Sequence, residues 1–215
     1  MGSFDFFDKI FYINMDSRTD RLTHIQTQLS KMGIYNAERQ QGMSYSGYND
    51  KSYNACIGNH FAHASCVRKA KELNAENVLI LEDDAEFLHQ PGYLKSVLSQ
   101  AIEELPEQWG LFYLGINMDC YLAHKFGKAL AKLDGGYSTH AYAINRRLFD
   151  RIIQINEDVN VLHNDVYYSA VLMKEEPCFV TVPLLVGQLT NYSDIQGRVV
   201  DSNKMFLERF NSNLV

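Results

Sequence analysis

Three consecutive carboxylates, Glu82-Asp83-Asp84, follow directly on the apolar run Val78-Leu79-Ile80-Leu81. Two like charges about 5 Å apart at an effective dielectric near 20 repel by about 3 kcal/mol, so three in a row beside a buried strand require a compensating cation. A divalent ion that also binds phosphate meets that need, because hard oxygen ligands with one side open suit Mg²⁺ or Mn²⁺. The competing reading has Asp84 capping a helix while Glu82 and Asp83 face water, since Asp is a favoured N-cap.

Other segments carry chemistry of their own. Ile13-Asn14-Met15-Asp16-Ser17-Arg18-Thr19-Asp20-Arg21 reads as a strand end, a polar turn and a helix start. Exposed backbone N–H groups there, with Arg18 and Arg21, would cradle an anion or a nucleotide; an ordinary charged strand-to-helix turn has the same look. In Cys56-Ile57-Gly58-Asn59-His60-Phe61-Ala62-His63 the two histidines are three residues apart, a spacing that can ligate a metal but on a helix more often caps, packs or hydrogen-bonds. Ser138-Thr139-His140 and His163-Asn164-Asp165 bring further polar groups, and Asp165 stands at a helix start. A carboxylate there can accept a proton from an attacking hydroxyl or can cap the helix. Gln188 and the Ser193-Asp194 turn, polar groups after an apolar strand, suit sugar contacts. Tyr45, Tyr48 and Tyr53 suit stacking on a ring, or an amphipathic surface.

The elements that must position these groups alternate between two periods. Ile10-Phe11-Tyr12-Ile13 is a strand, and Leu22, Ile25, Leu29 and Met32 recur at helical spacing, with Asp16 or Ser17 placed as cap and Gly33 as terminator. Residues 40–54 read as a loop, 58–74 as a helix, 78–81 as a strand with apolar groups on both faces, and 92–104 as a helix. A strand at 111–114, a second loop at 116–138, a strand at 141–144 and helices at 146–154 and 165–173 follow. This alternation predicts an α/β fold, a mostly parallel sheet with helices on both faces, whose ligands gather outside the carboxyl ends of the strands. The polar stretch after about Asn191 reads as a tail that closes over a site or stays disordered.

With 215 residues and 46% hydrophobic content, the chain supports one domain, its core spanning about 9–197 with a polar tail over about 198–215. The net charge of −6 and the lack of a basic block argue against a nucleic-acid polymer as partner, while a single nucleotide needs only a local cation or two. Cys56, Cys66, Cys120 and Cys178 show neither disulfide nor zinc spacing and read as reduced thiols in a cytoplasmic setting. No signal peptide or 18-residue apolar run is present, so we expect a soluble chain with at most peripheral membrane contact.

Taken in order, Ile13 to Arg21, Cys56 with His60, Leu79 to Ala85, Tyr142-Ala143-Ile144, and Pro183-Leu184-Leu185 through Gln188 to Ser193-Asp194-Ile195 resemble glycosyltransferase family 25 over about residues 9–197. That family includes bacterial lipooligosaccharide galactosyltransferases and procollagen galactosyltransferases. The resemblance implies a GT-A fold that binds UDP-galactose or UDP-glucose, with a divalent metal, Mn²⁺ or Mg²⁺, on the diphosphate. It further implies transfer to a hydroxyl of a saccharide, glycolipid or protein by the inverting reaction of β-linkage galactosyltransferases. An inverting attack needs a carboxylate to deprotonate that hydroxyl, and our own choice for it, not carried over from the family, is Asp165 with Asp194 in reserve. By position Glu82-Asp83-Asp84 matches the acidic D-x-D-type motif, Asp84 for metal and Asp83 for metal or ribose; Asn14, Arg18 and Arg21 match the nucleotide-side signature. We accordingly place Asn14, Asp16, Arg18, Arg21, His60, Glu82, Asp83, Thr139, His140, Gln188 and Ser193 on the nucleotide sugar. Ala55 and Asn59 stand where the family tends to have Gly and Ser, and His163-Asn164 departs from its usual Pro-containing approach to the Asp. A metal-assisted phosphodiester or nucleotide hydrolase, and a non-catalytic sugar- or nucleotide-binding module, are the alternatives.

Overall fold

The computed structural model describes residues 3–161, 163–193, 198–200 and 203–215, with residues 191–193 and 198–200 described for their backbone only. The strands are β1 (Lys9–Asn14), β2 (Glu38–Gln41), β3 (Asn77–Glu82), β4 (Ala85–Phe87), β5 (Leu111–Asn117), β6 (Ala123–Lys125), β7 (Leu130–Leu133), β8 (Tyr137–Asn145), β9 (Cys178–Thr181), β10 (Val186–Gln188), β11 (Asn191–Ser193) and β12 (Arg198–Val200). The helices are α1 (Thr19–Met32), α2 (Lys51–Glu72), α3 (Pro91–Glu104), α4 (Phe149–Glu157), α5 (Asn164–Tyr167), α6 (Met173–Glu175) and α7 (Asn203–Asn213), with a π-helical turn, Tyr168–Leu172, joining α5 to α6.

An eight-stranded sheet in the order β2-β1-β3-β8-β5-β9-β7-β6 forms the centre. All its strands run one way except β8, inserted between β3 and β5, and β7. Strand β3 shows why the apolar run reads as central. Val78 and Ile80 join the cluster under α2 and α4, with Ala62, Val67 and Ile152, whereas Leu79 and Leu81 join the opposite cluster with Ile25 and Leu29 of α1 and Leu94 and Leu98 of α3. Alternate side chains of a strand point to opposite faces, so a strand apolar at every position is buried on both.

Several expectations shift. The helix α1 begins at Thr19 with Arg18 as N-cap and no side-chain cap, because Asp16 is turned away to Arg39 (2.6 Å) and Gln41 (2.7 Å). Gly33 ends it in the left-handed conformation (φ 71°), as its position suggested. The helix expected from 58 starts at Lys51, where Asp50 accepts hydrogen bonds from the Ser52 and Tyr53 N–H groups. Gly58 lies inside it because a Cβ there would meet the Met43 carbonyl oxygen at 2.2 Å, so only glycine lets the loop after β2 cross the helix. The loop expected over 116–138 contains the β6–β7 hairpin, and the stretch taken for a polar tail contains α7, whose Phe206 and Phe210 are buried. Among the described residues no helix is long and apolar enough to cross a membrane.

Candidate active site

The carboxyl ends of β1, β3 and β5 meet the amino end of the reversed β8 at one edge of the sheet, where they floor a cleft of about 1040 Å³. The first turns of α2 and α5, the loop after β2, Gln188 of β10 and Phe206 of α7 wall it.

No helix starts at the acidic triplet: Asp83 and Asp84 form the turn between β3 and β4, which removes the capping reading of Asp84. The compensating cation is supplied in the first instance by Arg21. Its Nη1 donates to Asp83 Oδ1 at 3.0 Å and to Asp84 Oδ2 at 3.2 Å, with all three side chains largely buried. Asn14 Nδ2 donates to the other Asp83 oxygen at 2.7 Å and to the Arg18 carbonyl at 3.0 Å. The amide is held in that sense by Arg39, whose Nη2 donates to Asn14 Oδ1 at 2.9 Å. Both Asp83 oxygens are thus occupied. Asp84 differs: its Oδ1 is buried with no hydrogen-bond partner among the described residues. Burial, then the charges of Glu82 and Asp83, push the Asp84 carboxyl up to about 7, with Arg21 and Gln188 acting the other way. Burial likewise raises Asp83, opposed by Asn14 and Arg21.

A lone buried carboxylate oxygen in a polar cleft fits a magnesium-like ion, which takes one or two carboxylates from the protein and fills its remaining positions with phosphate and water. Asp84 is the residue that would hold it. Among the described residues no group of three or more His, Cys, Asp or Glu side chains is arranged to enclose a metal, so a ligand phosphate would have to complete the coordination.

Glu82 is held by a separate set of donors. Asn59 Nδ2 (3.3 Å), His63 Nε2 (3.3 Å) and Thr139 Oγ1 (3.0 Å) all approach its Oε1. Burial opposes ionisation, yet His63, with His140 and Thr139, outweighs it and holds the carboxyl down at about 2. The Tyr142 hydroxyl lies 3.1 Å from His63 Nδ1, so a ring protonated on Nε2 donates to Glu82 and accepts from Tyr142.

The opposite wall is the start of α5. His60 Nε2 accepts the Asn164 backbone N–H at 3.1 Å, and burial, with nearby His63 and His163, lowers its pKa to about 3, so the ring pins the helix start as a neutral group. Asp165 accepts from the Ser138 backbone N–H at 2.9 Å and from its neighbour Val166 at 2.8 Å. Ser138 has φ 81°, a left-handed conformation that is strained in a non-glycine residue; such strain gathers at functional sites. Cys56 Sγ lies 3.7 Å from His163 Nδ1, but burial and the Asp165 and Asp50 charges raise the thiol to about 11, so it stays protonated.

Of the residues expected at the site, Asn14, Arg18, Arg21, His60, Glu82, Asp83, Asp84, Thr139, Asp165 and Gln188 line the cleft. Asp16 does not, being tied to Arg39 and Gln41 outside it. His140 is fully buried beneath the wall, 2.7 Å from the Ser138 hydroxyl, and burial lowers it to about 4. Ser193 is described for its backbone only, and Asp194 lies outside the described residues. Sequence reasoning passed over Arg39 and put His60 ahead of His63. The four-residue step from Asn59 to His63, which places both on one helical face, was the available signal for the Glu82 donors.

No protein-family model matches this chain, and no curated protein matches it in sequence. Among solved structures it is similar to a mannose-1-phosphate geranyltransferase from Thermus thermophilus, at 12% identity and a TM-score of 0.46 over 80% of this chain and 73% of that one. It is also similar to the glycosyltransferase GlyE of Streptococcus pneumoniae, at 14% identity and a TM-score of 0.44 over 79% of this chain and 44% of the other. A third is a Drosophila galactosyltransferase solved with manganese, UDP-Gal and xylobiose, at 9% identity and a TM-score of 0.42 over 90% and 75% of the two chains.

Proposed function

We infer that this protein is a glycosyltransferase of the GT-A type that moves a hexose, galactose or glucose, from a UDP-sugar to a hydroxyl of a saccharide, glycolipid or protein. The observation that carries this reading is Asp84, a residue lining the cleft at the carboxyl edge of the sheet whose buried Oδ1 has no hydrogen-bond partner among the described residues, beside the strand-to-helix turn that holds Arg18 and Arg21. A divalent ion there supplies positive charge to the diphosphate as the sugar departs. The chain's own residues do the rest. Asn14, Arg21 and Arg39 fix the acidic turn so that Asp84 is presented without reorganisation, the condition under which electrostatic groups stabilise a transition state best. Asp165, oriented by two backbone N–H groups, takes the proton of the attacking hydroxyl in an inverting displacement.

Thermal melts with UDP-galactose, UDP-glucose or UDP, each with and without Mn²⁺, test the reading. At 100 times the dissociation constant a bound ligand adds about 2.7 kcal/mol of stability, a rise of roughly 5–10 °C for a domain of this size. Absence of any shift from every UDP ligand, with or without Mn²⁺, would overturn it. Sugar release that needs no acceptor but water would instead favour a hydrolase.

A further inference from the structure

We propose that Glu82 is a specificity-determining residue that reads a hydroxyl of the transferred sugar and turns away sugars carrying a carboxylate. The inference rests on the proposed function and deepens it. Glu82 lines the cleft, and its side chain is about one-fifth exposed. Its three donors, Asn59, His63 and Thr139, all converge on Oε1, which leaves Oε2 to whatever occupies the cleft. Three donors on one oxygen fix the plane of the carboxylate, and Tyr142 behind His63 extends the brace into the core. A carboxylate needed only to satisfy His63 would not require the other two donors, nor an open second oxygen on a cleft wall.

The cleft's layout tells which part of the donor meets it. A diphosphate seated at Asp84 sends its nucleoside to one side and its sugar to the other. Toward β1 and α1 lie Asn14, Arg18 and the loop after β2, whereas Glu82 stands with Asn59, Thr139, Ser138 and Asp165 on the side of the candidate base, where the sugar must be for transfer. Among the described residues that side is built of hydrogen-bonding groups and two carboxylates, with no Lys or Arg. Among the described residues the Lys and Arg side chains lining the cleft are Arg18, Arg21 and Lys51, and Lys51 stands eight residues before Asn59 in α2, about 12 Å along the axis. A hydroxyl donates to Oε2, while a sugar carboxylate in the same place would meet a like charge in a site of reduced dielectric.

The experiment compares UDP-glucose with UDP-glucuronic acid, and UDP-galactose with UDP-galacturonic acid, on the wild-type protein and on Glu82→Gln, by calorimetric binding and by transfer rate. In the wild type each uronate should bind about 10- to 100-fold more weakly than its neutral partner. In Glu82→Gln, which keeps an oxygen for the three donors, the neutral sugars should lose about 10-fold and the gap between each pair should close to within about 3-fold. Wild-type protein that binds uronates and neutral sugars alike overturns the proposal, and this arm needs no variant to fold. A folded Glu82→Gln protein with unchanged selectivity also overturns it and leaves Glu82 a structural partner of His63. Binding of no UDP-sugar at all defeats the functional reading itself and is distinct from both.

Discussion

Replacing Asp84 with Asn should make the ligand-free protein more stable at pH 8 while removing its response to metal. In the folded chain the Asp84 carboxyl sits at about 7, against an ordinary 3.8, through burial and then the Glu82 and Asp83 charges. That rise corresponds to about 4 kcal/mol between the two protonation states. Because the folded value is raised, the native state keeps a proton that the unfolded chain gives up above pH 4. Stability therefore falls as pH rises from about 4 to about 7, and the whole penalty stands above that. The amide of Asp84→Asn carries no such penalty, and the favourable charge of Arg21 is already contained in the folded value of about 7, so it offsets nothing further. The variant should therefore gain about 4 kcal/mol at pH 8, a rise of roughly 8–16 °C in Tm. Calorimetric melts of both proteins in chelator at pH 5, 6, 7 and 8 measure it. The two curves should converge at the acid end and part as pH rises. With UDP and Mn²⁺ added, the wild type should gain stability and the variant should not. A variant no more stable than wild type at pH 8, or an offset that ignores pH, refutes the placement of Asp84 as a buried carboxyl whose ionisation the fold opposes.

Three further outcomes follow from the same geometry. Arg21→Ala strips the cation from two buried carboxylates and should cost about 3–5 kcal/mol in urea unfolding at pH 8, with a smaller loss at pH 5, where Asp84 holds a proton. Gly58→Ala drives a Cβ into the Met43 carbonyl and should lower stability by about 1–3 kcal/mol; an unchanged melting temperature would show that the loop after β2 moves aside freely. Asp165→Asn should slow sugar transfer by about 10²–10⁴-fold with little change in donor KM, so initial rates within tenfold of wild type would remove Asp165 as the base.

The central strand, the flanking helices and the position of the acidic turn were legible in the chain itself. An unbroken apolar run followed by carboxylates has one consistent placement, a doubly covered strand ending at a ligand edge, because side-chain alternation sends residues 78–81 to both faces in turn. Gly33 ended α1 for an equally local reason, since a left-handed residue is cheapest as glycine. The reversed direction of β8 was not legible, because the stretch over 116–138 is long enough for a parallel crossover as well as for the β6–β7 hairpin it contains. What local pattern could not supply is the partner of each charge. Asn14 and Arg21 reach the acidic turn across 69 and 62 positions of chain, Arg39 braces Asn14 across 25, His63 reaches Glu82 across 19, and Asp165 meets Ser138 across 27. Tertiary folding alone decided that both Asp83 oxygens are hydrogen-bonded while a buried Asp84 oxygen has no partner among the described residues, and that Glu82 turns to a different set of donors. Alternation and caps are written into neighbouring residues, but hydrogen-bond partners are chosen by whichever side chains the closed sheet brings within about 3 Å.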